Sequence, residues 1–337
     1  MSHSNSSLNS FASCMAKYEH SYILHTQPCK PISPHLTFGI MAHDCLYRAG
    51  KLRDEYDDGV LQSGDYQQVI PSEVLYGELK NEFGITNWQD YFTPVIKQTA
   101  AYERQLVKEL IDTQTGEVSV EREVKLQLSV DQLKRLGYTN INQPIVGIID
   151  CLMYTKTHAI ILDYKFSSNK KTQDDFDMNS QLPLYAFLVH VNYDIPLHNI
   201  RYGYVDIPKK SFDKPTLLSN GTLSRAKNQN VSQEFYEQCV IAIHGDDDYY
   251  NCKEGGYYYD IWNNLALNKA AYLSVQYLDS EVYTGVLNDL LNAAKMIDFM
   301  IEHKMPFLKK YDSYSCKGCE YLNACKPWLT VDGGCKC

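Results

Sequence analysis

The sequence predicts an α/β domain in which helices flank a β-sheet. Runs of β-branched and apolar residues, typical of buried strands, occupy four segments: residues 118–128, 145–154, 159–166 and 200–207. Apolar residues with helical spacing occupy five others: residues 7–25, 38–51, 69–112, 175–191 and 281–304. A short polar turn separates the second and third strands, which favours an antiparallel hairpin. Strands that alternate with helices in this way are typical of the α/β class.

The elements at the two ends of the chain are the easiest to justify residue by residue. The first helix has an apolar side made of four residues: Leu8, Phe11, Tyr18 and Tyr22. A proline-rich stretch follows it, with Pro28, Pro31 and Pro34. The last helix carries an apolar stripe that is predicted to pack in the core: Val286, Leu287, Leu290, Leu291, Met296, Ile297 and Met300. Pro306 ends that helix.

The composition excludes several classes of protein. The chain has 337 residues, a formal net charge of −9, and 44% hydrophobic and 22% charged residues, which is the balance of a folded globular protein. No apolar run reaches the ~20 residues that span a bilayer, and the polar start of the chain lacks the features of a secretory signal. A cytoplasmic protein without membrane contact is therefore expected. Nucleotide triphosphate binding is not expected, because no Gly-x-x-x-x-Gly-Lys-Ser/Thr motif occurs.

A basic segment follows the fourth predicted strand. Residues 201–228 hold six basic side chains against two acidic ones, a local charge of +4 in an acidic chain. This segment is either a solvated loop or a basic arm that lies on phosphates. In the second interpretation, Arg225 and Lys227 would contact the phosphates.

Two aspartates occupy matching places in the predicted hairpin. If a turn centred on Lys156 and Thr157 joins the strands, Asp150 and Asp163 face each other with Cβ atoms about 5 Å apart. Two carboxylates at that distance repel by roughly 3 kcal/mol at an effective dielectric constant of about 20. A divalent cation between them would turn this repulsion into ligation, and carboxylate oxygens suit Mg²⁺ or Mn²⁺.

Further polar residues are spaced to join the two aspartates. Lys165 shares a strand face with Asp163, where it would orient a water molecule and offset the charge of an attacked phosphate. Three more pairs are spaced to share one face of a helix or strand: Gly39 with His43, Gln181 with Tyr185, and Glu121 with Glu123. The sequence does not tell which of Glu121 and Glu123 lies nearer the aspartates. In the alternative interpretation, the aspartates are half-exposed residues near strand ends and His43 is a core residue.

Cysteines crowd near the end of the chain. Eleven cysteines in a chain without a secretory signal favour metal ligation over disulfides. A zinc ribbon would use four cysteines of the C-terminal segment: Cys316, Cys319, Cys335 and Cys337. A [4Fe-4S] cluster would use three of the C-terminal cysteines and one distant cysteine: Cys316, Cys319, Cys325 and Cys14. The spacing alone leaves both possibilities open.

Taken in order, these motifs resemble the RecB-like branch of the PD-(D/E)XK nucleases. That branch has the series Gly-x-x-x-His, Gly-x-x-Asp, Asp-x-Lys and Gln-x-x-x-Tyr, which stands here at Gly39/His43, Gly147/Asp150, Asp163/Lys165 and Gln181/Tyr185. Residues 6–11, followed by Cys14 and Tyr18, match the first helix of the branch. The resemblance covers roughly residues 6–200 and the C-terminal cysteines.

The resemblance implies a restriction-endonuclease-like core with a central mixed β-sheet flanked by helices and closed by a C-terminal iron–sulfur segment. Four groups would hold Mg²⁺ or Mn²⁺: His43, Asp150, Asp163 and the backbone carbonyl of Tyr164. Lys165 would assist the attacking water, and Gln181 and Tyr185 would border the active site and the DNA. Iron–sulfur members of the branch have one cysteine on the first helix and three in the pattern Cys-x2-Cys-x5-Cys. The resemblance therefore favours the cluster over zinc, as a staple that needs no redox chemistry.

The same resemblance implies a metal-dependent DNA nuclease, and an exonuclease in preference to an endonuclease, that acts in recombination, replication or repair. Its partners would be a single- or double-stranded DNA end, contacted in part by Arg225 and Lys227, and recombination or replication proteins. Two alternatives remain: a nuclease subunit of a recombination or CRISPR adaptation complex, and a nuclease-dead DNA-binding protein that kept the fold. The complete set of Asp150, Asp163 and Lys165 argues against the second.

Three regions are predicted along the chain. Residues 1–205 would form the nuclease core, and residues 281–337 a C-terminal helix and cysteine segment that packs back on it. Residues 206–280 would be an inserted subregion, in which residues 218–230 resemble the insertion of phage-type exonucleases.

Overall fold

A five-stranded mixed β-sheet forms the centre of the molecule. The computed structural model describes residues 1–30, 32–56, 59–113, 117–167, 172–209, 212–226, 229–245, 247–265, 268–310 and 316–325. The strands are β1 (Ser119–Leu128), β2 (Ile145–Tyr154), β3 (Ala159–Ser167), β4 (Ile200–Pro208) and β5 (Tyr272–Tyr277). They lie side by side in chain order, with β3 and β4 parallel and all other neighbours antiparallel. The predicted α/β class with a central mixed sheet is therefore confirmed.

Helices cover both faces of the sheet. In chain order they are α1 (Asn5–Ser13), α2 (Met15–Tyr18), α3 (Pro34–Arg53), α4 (Tyr66–Val69), α5 (Glu73–Phe83), α6 (Trp88–Thr113), α7 (Val130–Arg135), α8 (Gln173–Asp177), α9 (Gln181–Tyr193), α10 (Gln233–His244), α11 (Tyr259–Asn264) and α12 (Ser280–Glu302). A π-helix spans Glu19–Ile23, a 3-10 helix spans Leu197–Asn199, and a short helix spans Leu322–Cys325. Within the described residues, no helix has the length and apolar character needed to cross a membrane.

Two apolar layers, one on each face of the sheet, form the core. One layer packs α1, α9 and α12 against the sheet through residues such as Phe11, Leu188 and Leu291. The other packs α3 and α6 against the opposite face, with Phe38 and Phe92 in its interior. Because most of β3 and the second half of β2 are buried on both faces, the sequences there are nearly continuously apolar.

The structure differs from the predicted elements in several places. The first predicted helix is divided at Cys14, whose extended backbone (φ −164°, ψ 111°) ends α1 and precedes α2. The helical pattern of residues 69–112 is interrupted by Gly84, which adopts the left-handed conformation (φ 62°) that ends α5. Strand β5 was not predicted, because its residues are only partly buried and form no continuous apolar run.

The apolar stripe of α12 packs on the core largely as predicted. Its buried members are Leu287, Leu290, Leu291, Ile297 and Met300. Met296 is half exposed, because it lies roughly 100° around the helix from Ile297 and so falls outside the stripe.

A third, smaller apolar cluster lies within the predicted insertion. Its buried members are Leu223, Val231, Tyr236, Val240, Cys252, Tyr258, Ile261 and Leu265. Strand β5 belongs to the same predicted insertion and nevertheless pairs with β4 of the central sheet. The division of the chain at residues 205 and 280 stays a prediction.

Candidate active site

The hairpin of β2 and β3 forms with the predicted register. The ladder begins with Cys151 opposite Leu162 and continues in step to the turn. The same register, extended by one residue, sets Asp150 opposite Asp163. The regular ladder stops there, and Asp150 Oδ2 instead accepts a hydrogen bond from the backbone N–H of Tyr164 at 2.8 Å.

At Asp150 the alternation of side chains between the two faces of β2 is interrupted, so that the faces are exchanged. Before it, Ile149 packs in the α9 layer, whereas Cys151, two residues later, packs in the opposite layer. Regular alternation would put these two residues on one face. The partner strand β1 reverses at the same level, at Glu123, whose backbone has a left-handed φ of 47°. A non-glycine residue in that region is strained, and such strain is concentrated at functional sites.

Both aspartates have poorly solvated side chains. Asp163 is 2% exposed, and the side chain of Asp150 is 18% exposed. Burial raises the pKa of Asp150 to about 6, although the Tyr164 N–H and the Lys165 charge oppose this rise. Burial, followed by repulsion from Asp150, raises the pKa of Asp163 to about 6. Two poorly solvated carboxylates that repel each other would be stabilised by a cation.

A chain of polar contacts runs from Asp163 to α9. Lys165 Nζ lies 2.6 Å from Asp163 Oδ2 and donates a hydrogen bond to Gln181 Oε1 at 3.0 Å. Gln181 Nε2 in turn donates to the Tyr185 hydroxyl at 2.7 Å. The structure therefore brings Lys165, Gln181 and Tyr185 together beside Asp163.

Gly147 of β2 allows α9 to lie close to the sheet. A Cβ atom at this position would lie 2.7 Å from Leu188 Cδ1 and 2.9 Å from a ring carbon of Tyr185. We expect Gly147→Ala to push α9 outwards and to lower the free energy of unfolding by about 1–3 kcal/mol, as overpacking does. Urea unfolding followed by circular dichroism measures this loss.

Gly39 provides the control for this substitution. It lies inside α3, and no described atom lies within 4 Å of a Cβ added there. Gly39→Ala should keep or slightly raise stability, because alanine is the better helix former. A Gly147→Ala protein as stable as Gly39→Ala would contradict the close packing of α9.

His43 reaches the acids from α3. That helix begins at Pro34, and the side chain of Ser33 caps it by accepting a hydrogen bond from the Leu36 N–H. His43 Nδ1 lies 3.6 Å from Asp150 Oδ2, which is longer than a hydrogen bond. Burial lowers the pKa of His43, so the ring is neutral at pH 7, the form that a metal ligand requires.

The two upstream glutamates, predicted to share a strand face, have different surroundings. Glu121 accepts hydrogen bonds from two tyrosine hydroxyls, at 2.6 and 3.1 Å. The Glu123 carboxylate instead interacts electrostatically with Asp150 and His43. The left-handed backbone at Glu123 accounts for the difference, because it breaks the alternation on which the prediction depended. Glu123 is thus the glutamate near the site.

Strand β4 adds a third carboxylate that sequence analysis missed. Asp206 is buried and pairs in parallel register with Lys165, so the two side chains lie on the same sheet face. The strand itself was predicted at residues 200–207, but its parallel pairing with β3 was not predicted. No short turn joins the two strands, so nothing local in the sequence indicates that Asp206 and Lys165 are neighbours.

The residues around the hairpin suit a hard divalent cation by chemical type. Asp150 and Asp163 supply carboxylate oxygens, and His43 supplies a borderline nitrogen. In the part of the chain that the structure describes, however, no group of three or more His, Cys, Asp or Glu side chains is arranged to hold a metal ion. Asp163 Oδ2 is instead paired with the Lys165 ammonium group at 2.6 Å.

The four cysteines of the predicted cluster line one cavity of about 210 Å³: Cys14, Cys316, Cys319 and Cys325. None of the described cysteines forms a disulfide. The cysteines share the cavity without forming a coordination shell, since the described residues contain no side-chain group arranged for a metal. Cys335 and Cys337 of the alternative zinc ribbon lie outside the described residues. The cluster and the ribbon both stay predictions.

Arg225, one of the two predicted DNA contacts, lies on an exposed tyrosine. Its guanidinium carbon is 4.5 Å from the centroid of the Tyr257 ring, a cation–π distance. Tyr257 stacks in turn on Tyr249, which is also exposed. Lys227 lies outside the described residues. Binding of DNA by this segment stays a prediction.

Comparison with known proteins identifies a family that the sequence of the chain matches. The family model described as the PD-(D/E)XK nuclease superfamily matches residues 2–326. No curated protein matches the chain in sequence. A solved structure from Eubacterium rectale, named “Putative exonuclease”, has a TM-score of 0.42 and 9% identity over 96% of this chain and 87% of that chain. Another, of the protein SSO0001, has a TM-score of 0.26 and 13% identity over 86% of each chain. Both likenesses are remote, so the placement depends on the family model alone.

Proposed function

The chain belongs to the PD-(D/E)XK nuclease superfamily, and on this premise we propose that it is a metal-dependent deoxyribonuclease of the RecB-like branch, acting as an exonuclease. One observation carries the proposal. Asp150, Asp163 and Lys165 lie on one hairpin, with Asp163 buried and Lys165 Nζ 2.6 Å from its carboxylate. The resemblance of residues 218–230 to the insertion of phage-type exonucleases supports the exonuclease assignment.

Members of the superfamily generally use Mg²⁺ or Mn²⁺. In this chain the ion would be held by four groups: His43, Asp150, Asp163 and the backbone carbonyl of Tyr164. When bound, such an ion polarises a phosphate and lowers the pKa of a water molecule. Lys165, held between Asp163 and Gln181, would offset the negative charge of the phosphate and orient the attacking water. Tyr185 would fix Gln181 through their hydrogen bond.

Incubation of the purified protein with end-labelled single- and double-stranded DNA tests the proposal. We expect linear DNA to be degraded with Mg²⁺ or Mn²⁺ and to stay intact with EDTA. Covalently closed circular DNA should stay intact in all conditions, because an exonuclease needs an end. Cleavage of the circle would overturn the exonuclease assignment. Binding without any cleavage would overturn the nuclease proposal and favour a DNA-binding protein that kept the fold.

We also propose that the cysteine cavity takes a [4Fe-4S] cluster. The placement of Cys14 supports it, because this residue of the N-terminal region lines the same cavity as Cys316, Cys319 and Cys325. A zinc ribbon would not use Cys14, so it would not explain why Cys14 lines this cavity. The cluster would be a structural link between the first helices and the C-terminal segment.

We expect DNA binding to depend on Arg225 and Lys227. The double substitution Arg225→Gln with Lys227→Gln should weaken binding about equally for all DNA sequences. It should also make the dependence of log Kd on log salt concentration shallower, by about one unit for each phosphate that the variant no longer neutralises. Fluorescence anisotropy at several salt concentrations measures both effects.

Lys295 provides the control for the DNA-binding variants. It also lies over a tyrosine ring, with its Nζ 5.7 Å from the centroid of Tyr138, but it belongs to α12. Lys295→Gln should leave both the affinity and its salt dependence unchanged. An unchanged salt slope in the double variant would mean that the basic segment is a solvated loop.

A further inference from the structure

A buried charged network lies behind the candidate active site, on the sheet face that α3 and α6 cover. Its centre is Glu103 of α6, which is 6% exposed. Glu103 Oε2 accepts hydrogen bonds from Arg53 at 3.0 Å and from Arg122 at 2.8 Å. Glu103 Oε1 accepts one from the Tyr164 hydroxyl at 2.5 Å. Both carboxylate oxygens are thus bound, by residues of α3, β1 and β3.

Tyr164 connects this network to the acids of the site. It lies between Asp163 and Lys165 on β3, and its side chain belongs to the opposite layer, where it reaches Glu103. Its backbone N–H donates the hydrogen bond to Asp150 Oδ2. A shift of Tyr164 would therefore move Asp163 and Lys165 and break a hydrogen bond of Asp150.

Arg122 connects the network to β1 and to the end of α3. Its Nε and one terminal nitrogen donate to the two Asp54 oxygens, at 2.8 and 3.0 Å, while the same side chain reaches Glu103. Gly50 leaves room for it, since a Cβ at that position would lie 2.5 Å from Arg122 Nε. Arg122 also directly precedes Glu123. The network therefore holds β1 in place next to Glu123, where the side-chain alternation of the strand is interrupted.

Stability alone is a weak reason to keep such a network. Burial raises the pKa of Glu103, but the charges of Arg53 and Arg122 outweigh burial and lower it to about 2, so the carboxylate is ionised. A buried, fully paired ion network is often no more stabilising than apolar side chains of the same volume. Its hydrogen bonds do, however, confine the groups that they join to one geometry. The network is therefore better suited to hold positions than to add stability.

We propose that Glu103 is a positioning residue for the active site, which holds Tyr164 and thereby Asp163 and Lys165 in the geometry that cleavage needs. Glu103 acts through the Tyr164 hydroxyl and through Arg122. The effect on cleavage rests on the proposed nuclease function. The effect on the backbone at Tyr164 does not depend on that function.

Two substitutions in the network and one control test the proposal. Glu103→Gln removes the charge, and Tyr164→Phe removes only the hydroxyl that binds Glu103. The control, Asp298→Asn, alters another buried polar contact: Asp298 is 3% exposed, and its Oδ1 lies at hydrogen-bond distance, 3.0 Å, from His3 Nε2. All three substitutions are expected to lower the free energy of unfolding, which urea unfolding measures.

The first readout needs neither metal nor DNA. Hydrogen exchange, measured by mass spectrometry on peptides that cover β3, reports the hydrogen bond from the Tyr164 N–H to Asp150. We expect exchange at Tyr164 to be at least about 10-fold faster in Glu103→Gln and Tyr164→Phe than in the wild type. Asp298→Asn, compared at equal global stability, should show the wild-type rate at that amide.

The second readout is the division of the kinetic effect between kcat and KM. Displacement of reacting groups by about 1 Å costs up to ~100-fold in rate, so we expect kcat to fall by roughly 10- to 100-fold in both network variants. The KM for DNA should stay within about twofold, because no DNA contact is removed. Asp298→Asn should keep the wild-type kcat.

Two results would overturn the proposal. One is wild-type exchange at Tyr164 in both network variants, with stability losses like that of Asp298→Asn, because Glu103 would then have only a structural role. The other is an unchanged kcat in both variants of an active enzyme. If the wild-type protein cuts no DNA, the nuclease proposal fails, and the exchange comparison still decides whether Glu103 positions Tyr164.

Discussion

Asp163→Asn is expected to abolish DNA cleavage and, without metal, to make the protein more stable at neutral pH. Cleavage should be lost because the amide no longer supplies a charged oxygen to a cation or pairs with Lys165. The gain in stability follows from the site itself. Burial and the nearby Asp150 raise the pKa of Asp163 to about 6, so the ionised form destabilises the folded protein at pH 7. Asparagine is neutral and of nearly the same size.

The pH dependence of this stabilisation follows from linkage. The carboxyl group titrates near pH 4 in an unfolded chain, whereas in the folded protein the pKa of Asp163 is about 6. Below about pH 4 Asp163 carries its proton in both the folded and the unfolded protein. The contribution of the neutral carboxyl group to the free energy of unfolding is then fully present. That contribution is lost as the pH rises through about 6. The free energy of unfolding of the variant should therefore exceed that of the wild type by roughly 3 kcal/mol above about pH 7, and this difference should disappear towards pH 4.

Urea unfolding in EDTA at several pH values measures the stability, and cleavage assays with Mn²⁺ measure the activity. Asp150→Ala and Lys165→Ala should also abolish cleavage. The control is Asp298→Asn, because this carboxylate is buried and hydrogen-bonded to His3. This variant should lose stability and keep cleavage. Wild-type cleavage by Asp163→Asn would refute the assignment of the site. A loss of stability at pH 8 would refute the argument from burial.

The strands could be predicted where both of their faces are buried. Ile160, Ile161 and Leu162 of β3 are all inaccessible to solvent. Such a continuous apolar run predicts a buried strand even when the neighbouring strands are not known. Strand β5 could not be predicted, because all six of its residues keep some exposure and its pairing with β4 is set by tertiary packing. The division of the first helix at Cys14 has no local signal either, since neither proline nor glycine marks it.

The site could be predicted where its geometry is local. A tight turn sets the register of the β2–β3 hairpin, and the register places Asp150 beside Asp163. Glu103 could not be found, because its partners Arg53 and Tyr164 are 50 and 61 residues away in the chain. The left-handed backbone at Glu123 could not be predicted either, because glutamate rarely adopts it without tertiary constraint.

Cys14→Ser is expected to remove the brown colour of a [4Fe-4S] cluster together with the stability that the cluster adds. The residues that follow this cysteine contact the last part of the chain that the structure describes. The Ala16 N–H donates to the Leu308 carbonyl at 3.2 Å, and Lys17 Nζ lies 3.1 Å from a Glu320 carboxylate oxygen. The side chains of that ion pair are each about one third exposed, so the pair contributes little. A cluster ligated from both ends would supply what these contacts do not.

The absorption spectrum, the iron and sulfide content and the unfolding transition of anaerobically purified protein measure the effect. Cys29→Ser is the control, because the Cys29 thiol lies at the same junction but contacts the Glu320 carbonyl oxygen at 2.7 Å. This variant should keep its colour. Cys335→Ser and Cys337→Ser should keep it too if the cluster is correct. The zinc ribbon gives the opposite result, with Cys14 tolerant of substitution and the two C-terminal cysteines intolerant.

Colour separates the two metals because thiolate-to-iron charge transfer absorbs visible light, whereas zinc has a filled d shell and is colourless. Protein that holds stoichiometric zinc and no iron would refute the cluster. That result would leave the carboxylate site untouched, since His43, Asp150 and Asp163 share no ligand with the cysteine cavity. Conversely, a Cys14→Ser protein that loses its colour but still cuts DNA at low temperature would show that the cluster holds the fold together and takes no part in the chemistry.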